Sequence, residues 1–212
     1  MPTSFDPPEL PFKPDFSLES MLWEQGIRLV VGVDEAGRGA LAGPVTAAAV
    51  ILPDDPSLVD LLNGVDDSKR LTPGQRASWA GRLKRVALAW EVGLATHSEI
   101  DLLGIAPAVQ LAVRRAIRRL RVQPDHILID YLKLPGIGVP YTSVVKGDQR
   151  SLSIAAASIF AKTARDAMMC QLENRYPGYG FAEHKGYGTA KHRAALRRQG
   201  ACTEHRRSFR LG

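Results

Sequence analysis

Four acidic residues follow runs of apolar, β-rich sequence, and they are the residues best suited to chemistry. Asp34 and Glu35 follow RLVVGV, Asp130 closes HILID, and Asp148 closes YTSVVKGD. Side chains at strand ends project into loops, where a rigid sheet can aim several of them at one point. Clustered carboxylates repel one another and need a cation, and Mg²⁺ and Mn²⁺ prefer oxygen ligands. The pattern therefore predicts a divalent-metal site.

A metal site of this kind suits phosphoryl transfer. Two ions about 3.5–4 Å apart can activate a water and stabilise the leaving oxygen of an in-line displacement. The chain has a net charge of +6, which favours a polyanionic partner such as nucleic acid. For any single acid, the alternative is a turn residue or a helix cap, and that is how we interpret Asp54, Asp55, Asp66 and Asp67.

The adjacency of Asp34 and Glu35 raises a geometric question. Neighbouring residues of a regular strand point to opposite faces, so both cannot aim at one ion from an undistorted strand. The strand must end, bulge or twist there, or Glu35 must reach round with its longer side chain. Gly37 and Gly39 make a departure from regular strand geometry inexpensive.

The elements that would position these acids belong to an α/β protein. Thr72, Pro73 and Gln75 form a capping-box pattern at the start of one helix. Residues 109–121 have apolar positions at helical spacing, with an arginine-rich opposite face that we interpret as solvated. An alanine-rich helix is predicted from position 151 to about 174. Strands are predicted at RLVVGVD, PVTAAAVIL, VALAWEVGLA, HILID and YTSVVKGD, which indicates a mixed sheet flanked by helices.

Other features limit the class of protein. Cys170 and Cys202 are far apart and form no C-x-x-C pair, so neither a zinc ribbon nor a disulfide framework is indicated. No stretch approaches the roughly 18 apolar residues of a membrane span, and the proline-rich N-terminus lacks the apolar core of a signal peptide. We expect a cytoplasmic monomer without membrane association. Its chain would consist of an N-terminal extension over residues 1–27 and one domain over residues 28–212.

The longest motif, VGVDEAGRGALAGPV, resembles the N-terminal signature of bacterial ribonuclease HII. Further blocks resemble motifs of that family in the same order, over residues 28 to 209: DDSKRL, ILID, VVKGD, SIAAASIFAKTARD, YGFAEHKGYGT and TEHRRSF. The resemblance implies a ribonuclease H-like fold, with a five-stranded mixed sheet, flanking helices and a small helical C-terminal part over about 186–212.

The resemblance also implies an activity. Members of the family cleave the RNA strand of RNA–DNA hybrids and incise duplex DNA 5′ to a single embedded ribonucleotide. The products carry 3′-hydroxyl and 5′-phosphate ends, and the cofactor is Mn²⁺ or Mg²⁺. Asp34, Glu35 and Asp130 match the metal-binding acids of the family, and Asp148 matches its fourth catalytic carboxylate.

The implied substrate contacts are also specific. Gly37, Arg38 and Gly39 match the loop that recognises the ribonucleotide, and Tyr187 matches the tyrosine at the DNA–RNA junction; without the family match, Tyr187 would be an ordinary loop aromatic. The 2′-hydroxyl, which both donates and accepts hydrogen bonds, distinguishes RNA from DNA, and a tyrosine ring can stack on a sugar or base. Weaker candidates for phosphate contacts are Lys69, Lys146, Lys185 and Arg38, while Lys162 is interpreted as a helix-surface charge.

One position departs from the family pattern. Tyr131 follows Asp130 where glycine is common, so its ring either crowds the substrate or points away. Two alternative functions stay open at this point: another nuclease of the same fold, such as a resolvase, or a basic module that binds RNA without cleaving it.

Overall fold

Five strands form one mixed sheet in the computed structural model, which describes residues 13–55 and 57–211. The strand order is β3-β2-β1-β4-β5. The central strand β1 pairs antiparallel with β2 and parallel with β4, β2 pairs antiparallel with β3, and β4 pairs parallel with β5. The strands are β1 (Val30–Ala36), β2 (Val45–Ile51), β3 (Ala89–Ala95), β4 (His126–Asp130) and β5 (Tyr141–Val144). The five predicted strands and the α/β class are thus confirmed.

Eight α-helices lie around the sheet in the described ranges. They are α1 (Ser17–Trp23), α2 (Leu58–Leu61), α3 (Pro73–Val86), α4 (His97–Leu103), α5 (Ile105–Arg119), α6 (Leu152–Arg175), α7 (Phe181–His184) and α8 (Ala190–Gln199). The capping box at the start of α3 is present: the Thr72 side chain accepts from the Gln75 backbone, and the Gln75 side chain accepts from the Thr72 backbone. No helix of the described residues is long and apolar enough to cross a membrane.

The long helix α6 lies against one face of the sheet and contributes more buried residues to that core than any other element. Its alanines at positions 155–157 and 161 are buried with Val30, Ala48 and Val50. The approach is close, because a Cβ atom at Gly32 would lie 2.1 Å from the carbonyl carbon of Ser153. Glycine on the strand and alanine on the helix therefore bring the α6 backbone close to the end of β1, where the acids are.

The other face of the sheet packs against α5. The apolar side of this helix is buried, as its periodicity predicts. The interpretation of its arginine-rich side as simply solvated is wrong for three side chains. Arg115 pairs with Glu99 at 2.6 Å and donates to the Leu94 carbonyl, Arg119 donates to the Val92 carbonyl, and Arg114 donates to carbonyls that follow β4. Long side chains on this helix thus satisfy carbonyls at its border with neighbouring segments.

The N-terminal segment lies partly within the described residues. Four of its five prolines fall in residues 1–12, outside them. Helix α1 lies in this segment, and Phe16, Leu18 and Trp23 are buried in the same cluster as residues of α6. The boundary at residue 27 stays a prediction, but this helix is packed into the main core.

Candidate active site

A cavity of about 490 Å³ opens where the parallel pairing between β1 and β4 stops. The last pair of that ladder is Val33 with Ile129. Beyond it the two strands present their next residues to the same space. Eight of the eleven predicted site residues line this cavity: Asp34, Glu35, Gly37, Arg38, Gly39, Lys69, Asp130 and Tyr187.

The adjacent acids both reach the cavity without a break in the strand. Strand β1 stays paired with β2 through Ala36 opposite Thr46, so it neither ends nor bulges before Glu35. Alternation places Asp34 on the α6 face and Glu35 on the opposite face. The edge towards β4 is unpaired from Asp34 onward, and both carboxylates line the cavity there. The open edge explains how neighbouring residues can share one site.

Asp130 and Asp148 are brought close by a turn rather than by two strand ends. Asp130 ends β4, and its Oδ1 accepts from the Gly147 backbone N–H at 2.7 Å. The prediction that Asp148 closes a strand is wrong, because β5 ends at Val144. Lys146 has a left-handed backbone (φ 52°) that redirects the chain, and Asp148 lies in a 3₁₀ turn over Gly147–Gln149.

The acids perturb one another strongly. Burial raises the pKa of Asp34 well above its usual range, and the charges of Glu35, Asp130 and Asp148 raise it further. Burial also raises the pKa of Asp148 to about 6, with Asp67 and Asp130 adding to the effect and Lys69 opposing it. Such shifts show that the fold concentrates negative charge that it does not fully neutralise.

Lys69 places a positive charge beside these acids. Its Nζ lies 3.4 Å from Asp148 Oδ2 and 3.7 Å from Asp67 Oδ1. Burial lowers the pKa of Lys69, but the nearby carboxylates of Asp148, Asp67 and Asp34 raise it overall. Asp67 has the predicted turn role, since its Oδ1 accepts from the Lys69 backbone at 2.9 Å. It also adds a fifth negative charge beside the site, which the sequence interpretation did not include.

The donor set fits a hard divalent cation in its chemistry. The groups at the end of β1 and β4 are carboxylate oxygens, they are partly desolvated, and their mutual repulsion would be relieved by a positive ion. As the side chains stand, no group of three or more His, Cys, Asp or Glu residues among positions 13–55 and 57–211 is gathered closely enough to hold a metal ion. Asp34, Glu35 and Asp130 therefore line a common cavity without being collected into one coordination sphere. Asp148 lies near Asp130 and Lys69 but does not line the cavity.

Two buried arginines donate hydrogen bonds to the backbone of the glycine loop, residues 37–39, and of the segment that follows it. Arg206 donates to the carbonyls of Gly37 at 2.8 Å, Arg38 at 2.9 Å and Gly43 at 3.0 Å. Arg165 donates to Pro44 at 2.9 Å. Both side chains are fully buried, and burial lowers the pKa of Arg206 to about 9. These bonds span more than 120 residues in the chain, so no local sequence pattern indicates them.

The two glycines of the loop, Gly37 and Gly39, lack a side chain for different reasons. Gly37 has φ 93°, and a Cβ there would lie 1.9 Å from Arg165 Nε, so the fold itself requires glycine. Gly39 has open space around it, and nothing in the described structure lies within 4 Å of the Cβ it would carry. Arg38 is exposed between them, with Nη1 3.7 Å from Glu35 Oε1.

Tyr187 also lines the cavity, next to basic side chains. Lys162 Nζ lies 5.8 Å and the Arg165 guanidinium carbon 5.4 Å from its ring centroid. Lys162 lines the cavity and its side chain is only 18% exposed, so it is not a simple helix-surface charge. Its Nζ donates to Asp166 at 2.7 Å, and Arg76, a further cavity residue, also pairs with Asp166 at 3.2 Å. This wall is therefore basic and aromatic.

Buried histidines support the tyrosine loop. His192 Nδ1 lies 3.0 Å from the Tyr187 carbonyl, and its Nε2 lies 3.0 Å from Nε2 of His205. Burial lowers the pKa of His192 to about 4. A neutral ring at ordinary pH can accept and donate one hydrogen bond each, which matches its two contacts. The C-terminal segment thus fixes the position of Tyr187.

Two predicted phosphate contacts lie elsewhere. Lys146 and Lys185 do not line the cavity. Lys146 is exposed in the turn before Asp148. Lys185 Nζ is directed to Cys170 Sγ at 3.2 Å and to the Ala182 carbonyl, while its own carbonyl accepts from Arg165. Their roles in substrate binding stay predictions.

Comparisons with known proteins agree with this arrangement. The model of the family described as Ribonuclease HII matches residues 31–211. A Ribonuclease HII of Synechococcus sp. (strain JA-3-3Ab) is 53% identical, covering 93% of this chain and 88% of the relative. One of Moorella thermoacetica is 51% identical, covering 92% and 93%. The crystal structure of ribonuclease H2 from Pyrococcus horikoshii OT3 has a TM-score of 0.67 at 27% identity, covering 86% of this chain and 94% of that one.

Proposed function

This chain belongs to the ribonuclease HII family, metal-dependent endonucleases that act on RNA–DNA hybrids, and from that premise we propose that it also incises duplex DNA 5′ to a single embedded ribonucleotide. The observation that carries this proposal is the shared cavity. The acids at the end of β1 and β4 and the ribose-recognition candidates line the same space of about 490 Å³. A cut directed by that recognition would fall beside the recognised sugar.

In this proposal the glycine loop binds the ribose. Gly39 has no neighbour in the described structure within 4 Å of the Cβ it would carry, so the fold does not explain why the position lacks a side chain. A sugar approaching the backbone does explain it, since only glycine lets amide and carbonyl groups come close to a ligand. The 2′-hydroxyl can both donate to a carbonyl and accept from an amide.

Tyr187 would contact the neighbouring sugar or base. It is 36% exposed at the mouth of the cavity, while its backbone is fixed by His192. An aromatic ring held in this way offers a stacking surface that does not depend on base identity. The basic groups beside it, Lys162 and Arg76, suit the flanking phosphates.

Asp34, Glu35 and Asp130 would hold the divalent ions, with Asp148 as the fourth carboxylate. Mn²⁺ or Mg²⁺ bound there would supply the acidity that activates water and stabilises the departing 3′ oxygen in a two-ion hydrolysis. The chain's own groups have other tasks. Lys69 limits the repulsion among the carboxylates, and the loop over Gly37–Gly39 orients the sugar so that the 3′-hydroxyl and 5′-phosphate ends form at its 5′ side. We further propose that the chain acts as a monomer in the cytoplasm.

The test uses matched duplexes with one ribonucleotide or none. We expect cleavage of the ribonucleotide-containing duplex and of an RNA–DNA hybrid with Mn²⁺ or Mg²⁺, none with a chelator, and none of the all-DNA duplex. Cleavage of the all-DNA duplex would favour a resolvase-type nuclease. Binding without metal-dependent product would favour a non-catalytic RNA-binding module.

A further inference from the structure

A buried carboxylate from the N-terminal helix binds the start of the helix that carries much of the cavity wall. Glu19, on α1, is 1% exposed. Its Oε1 accepts from Ser151 Oγ at 2.6 Å, from the Ser153 backbone N–H at 3.0 Å and from Ser153 Oγ at 2.5 Å. These partners are the N-cap and the second residue of α6. The contact joins segments more than 130 residues apart.

A backbone contact reinforces this junction. The Leu152 N–H donates to the Asp15 carbonyl at 3.0 Å, and Asp15 forms an isolated β-bridge with Ser151. Residues 15–19 therefore bind three consecutive residues, 151–153, through both main chain and side chain. The start of α6 is fixed from outside the helix as well as by its own cap, in which Ser151 Oγ accepts from the Ile154 N–H at 3.1 Å.

The same residues continue directly into the turn that carries Asp148. The Ser151 N–H donates to the Gly147 carbonyl at 2.9 Å, and the Gly147 N–H donates to Asp130 Oδ1 at 2.7 Å. The turn is thus bound at one end to an acid of the site and at the other to the residue that Glu19 holds. A displacement of Ser151 would be transmitted to Asp148 through a single turn of chain.

The energetics argue against a purely local packing role. A buried carboxylate loses its hydration, and Glu19 Oε2 has no hydrogen-bond partner within the described structure. Ser151 already supplies the ordinary N-cap of α6, so helix formation does not require this second, costly group. What the carboxylate adds is an acceptor for three donors at a helix N-terminus, where negative charge is favourable, and a rigid link to α1. Burial raises the pKa of Glu19, and the hydrogen bonds from Ser151 and Ser153 oppose that rise.

We infer that Glu19 is a positioning residue for Asp148, acting through Ser151 and Ser153 at the start of α6. The inference rests on the proposed catalytic role of Asp148. It makes α1 a functional part of the nuclease, although it precedes the strand that carries the first acids.

The experiment compares Glu19→Gln with Asp148→Asn and with the double variant. The matched control is Glu24→Gln, since Glu24 is exposed at the end of the same helix. Rates are measured on a single-ribonucleotide duplex over a range of Mn²⁺ concentrations, well below each variant's Tm. We expect Glu19→Gln to lower kcat by roughly tenfold or more, as loss of an outer-shell contact does, and to leave KM unchanged. Glu19→Asp should recover part of the rate if Glu19 acts through its charge.

The double variant separates positioning from a general loss of structure. If Glu19 acts through Asp148, Glu19→Gln should have little further effect in the Asp148→Asn background. Effects that multiply, or a Glu19→Gln variant with a lowered Tm and unchanged kcat, would overturn the inference while the catalytic role of Asp148 stands. An Asp148→Asn variant that cleaves at the wild-type rate would instead overturn the proposed site.

Discussion

The two walls of the cavity are stabilised in opposite ways. The acidic wall, at the ends of β1 and β4, is aimed by the sheet. Burial, and then the charges of Glu35 and Asp130, raise the pKa of Asp34, while burial and the charge of Asp67 raise the pKa of Asp130. The recognition wall contains the glycine loop and Tyr187, and it is bound together by Arg165 and Arg206 through hydrogen bonds to carbonyls.

This difference distinguishes residues that serve the reaction from residues that stabilise the fold. Charges that repel one another in the folded protein weaken it, so the acidic wall has a function that outweighs its cost to stability. The arginines are buried but satisfied, and removing one leaves several carbonyls without donors. Substitutions on the acidic wall should therefore affect activity more than stability, and substitutions of the buried arginines should affect stability first.

The largest effect is expected for Asp130→Asn. Loss of one of the acids proposed to bind metal should lower the cleavage rate on the order of 10³-fold or more, as removal of an essential catalytic group does, with substrate binding largely retained. Single-turnover cleavage and binding by fluorescence anisotropy measure the two quantities. Asp60→Asn, an exposed acid on α2, is the control. A variant with near wild-type cleavage would show that Asp130 is not a metal ligand.

Arg206→Met should produce the largest loss of stability. It removes the donor to two carbonyls of the glycine loop and to the Gly43 carbonyl, and the free energy of unfolding should fall by about 3 kcal/mol. Urea unfolding followed by circular dichroism measures it, and Arg207→Met, the exposed neighbour, should leave it unchanged. Equal stability of the two variants would contradict a structural role for the buried arginine.

Tyr187→Ala should lower junction cleavage without a comparable loss of stability. Loss of a stacking surface costs about 1–3 kcal/mol per base, which corresponds to a rate reduction of about fivefold to 150-fold at limiting substrate. Tyr187→Phe keeps the ring and should keep most of the rate. Unchanged kinetics of the alanine variant on a single-ribonucleotide duplex would remove Tyr187 from the recognition wall.

The smallest effect is expected for Asp34→Asn in the presence of a chelator. This substitution should raise the free energy of unfolding, whereas Arg206→Met should lower it. The folded-state pKa of Asp34 is raised, so the folded protein binds its proton more tightly than the unfolded chain. Wild-type stability should therefore fall as pH rises above the ordinary carboxyl pKa, and the asparagine variant should fall less. Urea unfolding at several pH values checks this. An asparagine variant that is less stable at neutral pH would contradict the assigned repulsion.

The sequence predicted what depends on local pattern. The five strands, the start of α3 and the acids Asp34, Glu35 and Asp130 all follow from periodicity, capping residues and strand-end position. The position of Asp148 could not be predicted in this way, because it depends on the left-handed Lys146 and the turn bound to Asp130.

Contacts between distant segments are the part of the structure that the sequence predicted least. Arg165 and Arg206 look like ordinary surface arginines in sequence, and only the fold shows that they are buried among carbonyls. Glu19 likewise lies on a short helix ahead of the family motifs, and its partners are more than 130 residues away. Asp67 had the predicted turn role, but its proximity to Asp148 depends on packing against another segment.

The most direct test of the account is the position of the cut. Duplexes that are identical except for the location of one ribonucleotide are incubated with this chain and Mn²⁺ or Mg²⁺, and the products are mapped at nucleotide resolution. Because the acidic and recognition walls share one cavity, the incision should move with the ribonucleotide, always on its 5′ side, and leave a 3′-hydroxyl. Cuts at fixed positions, or cuts that do not follow the ribonucleotide, would contradict the proposal that the two walls act together on one sugar.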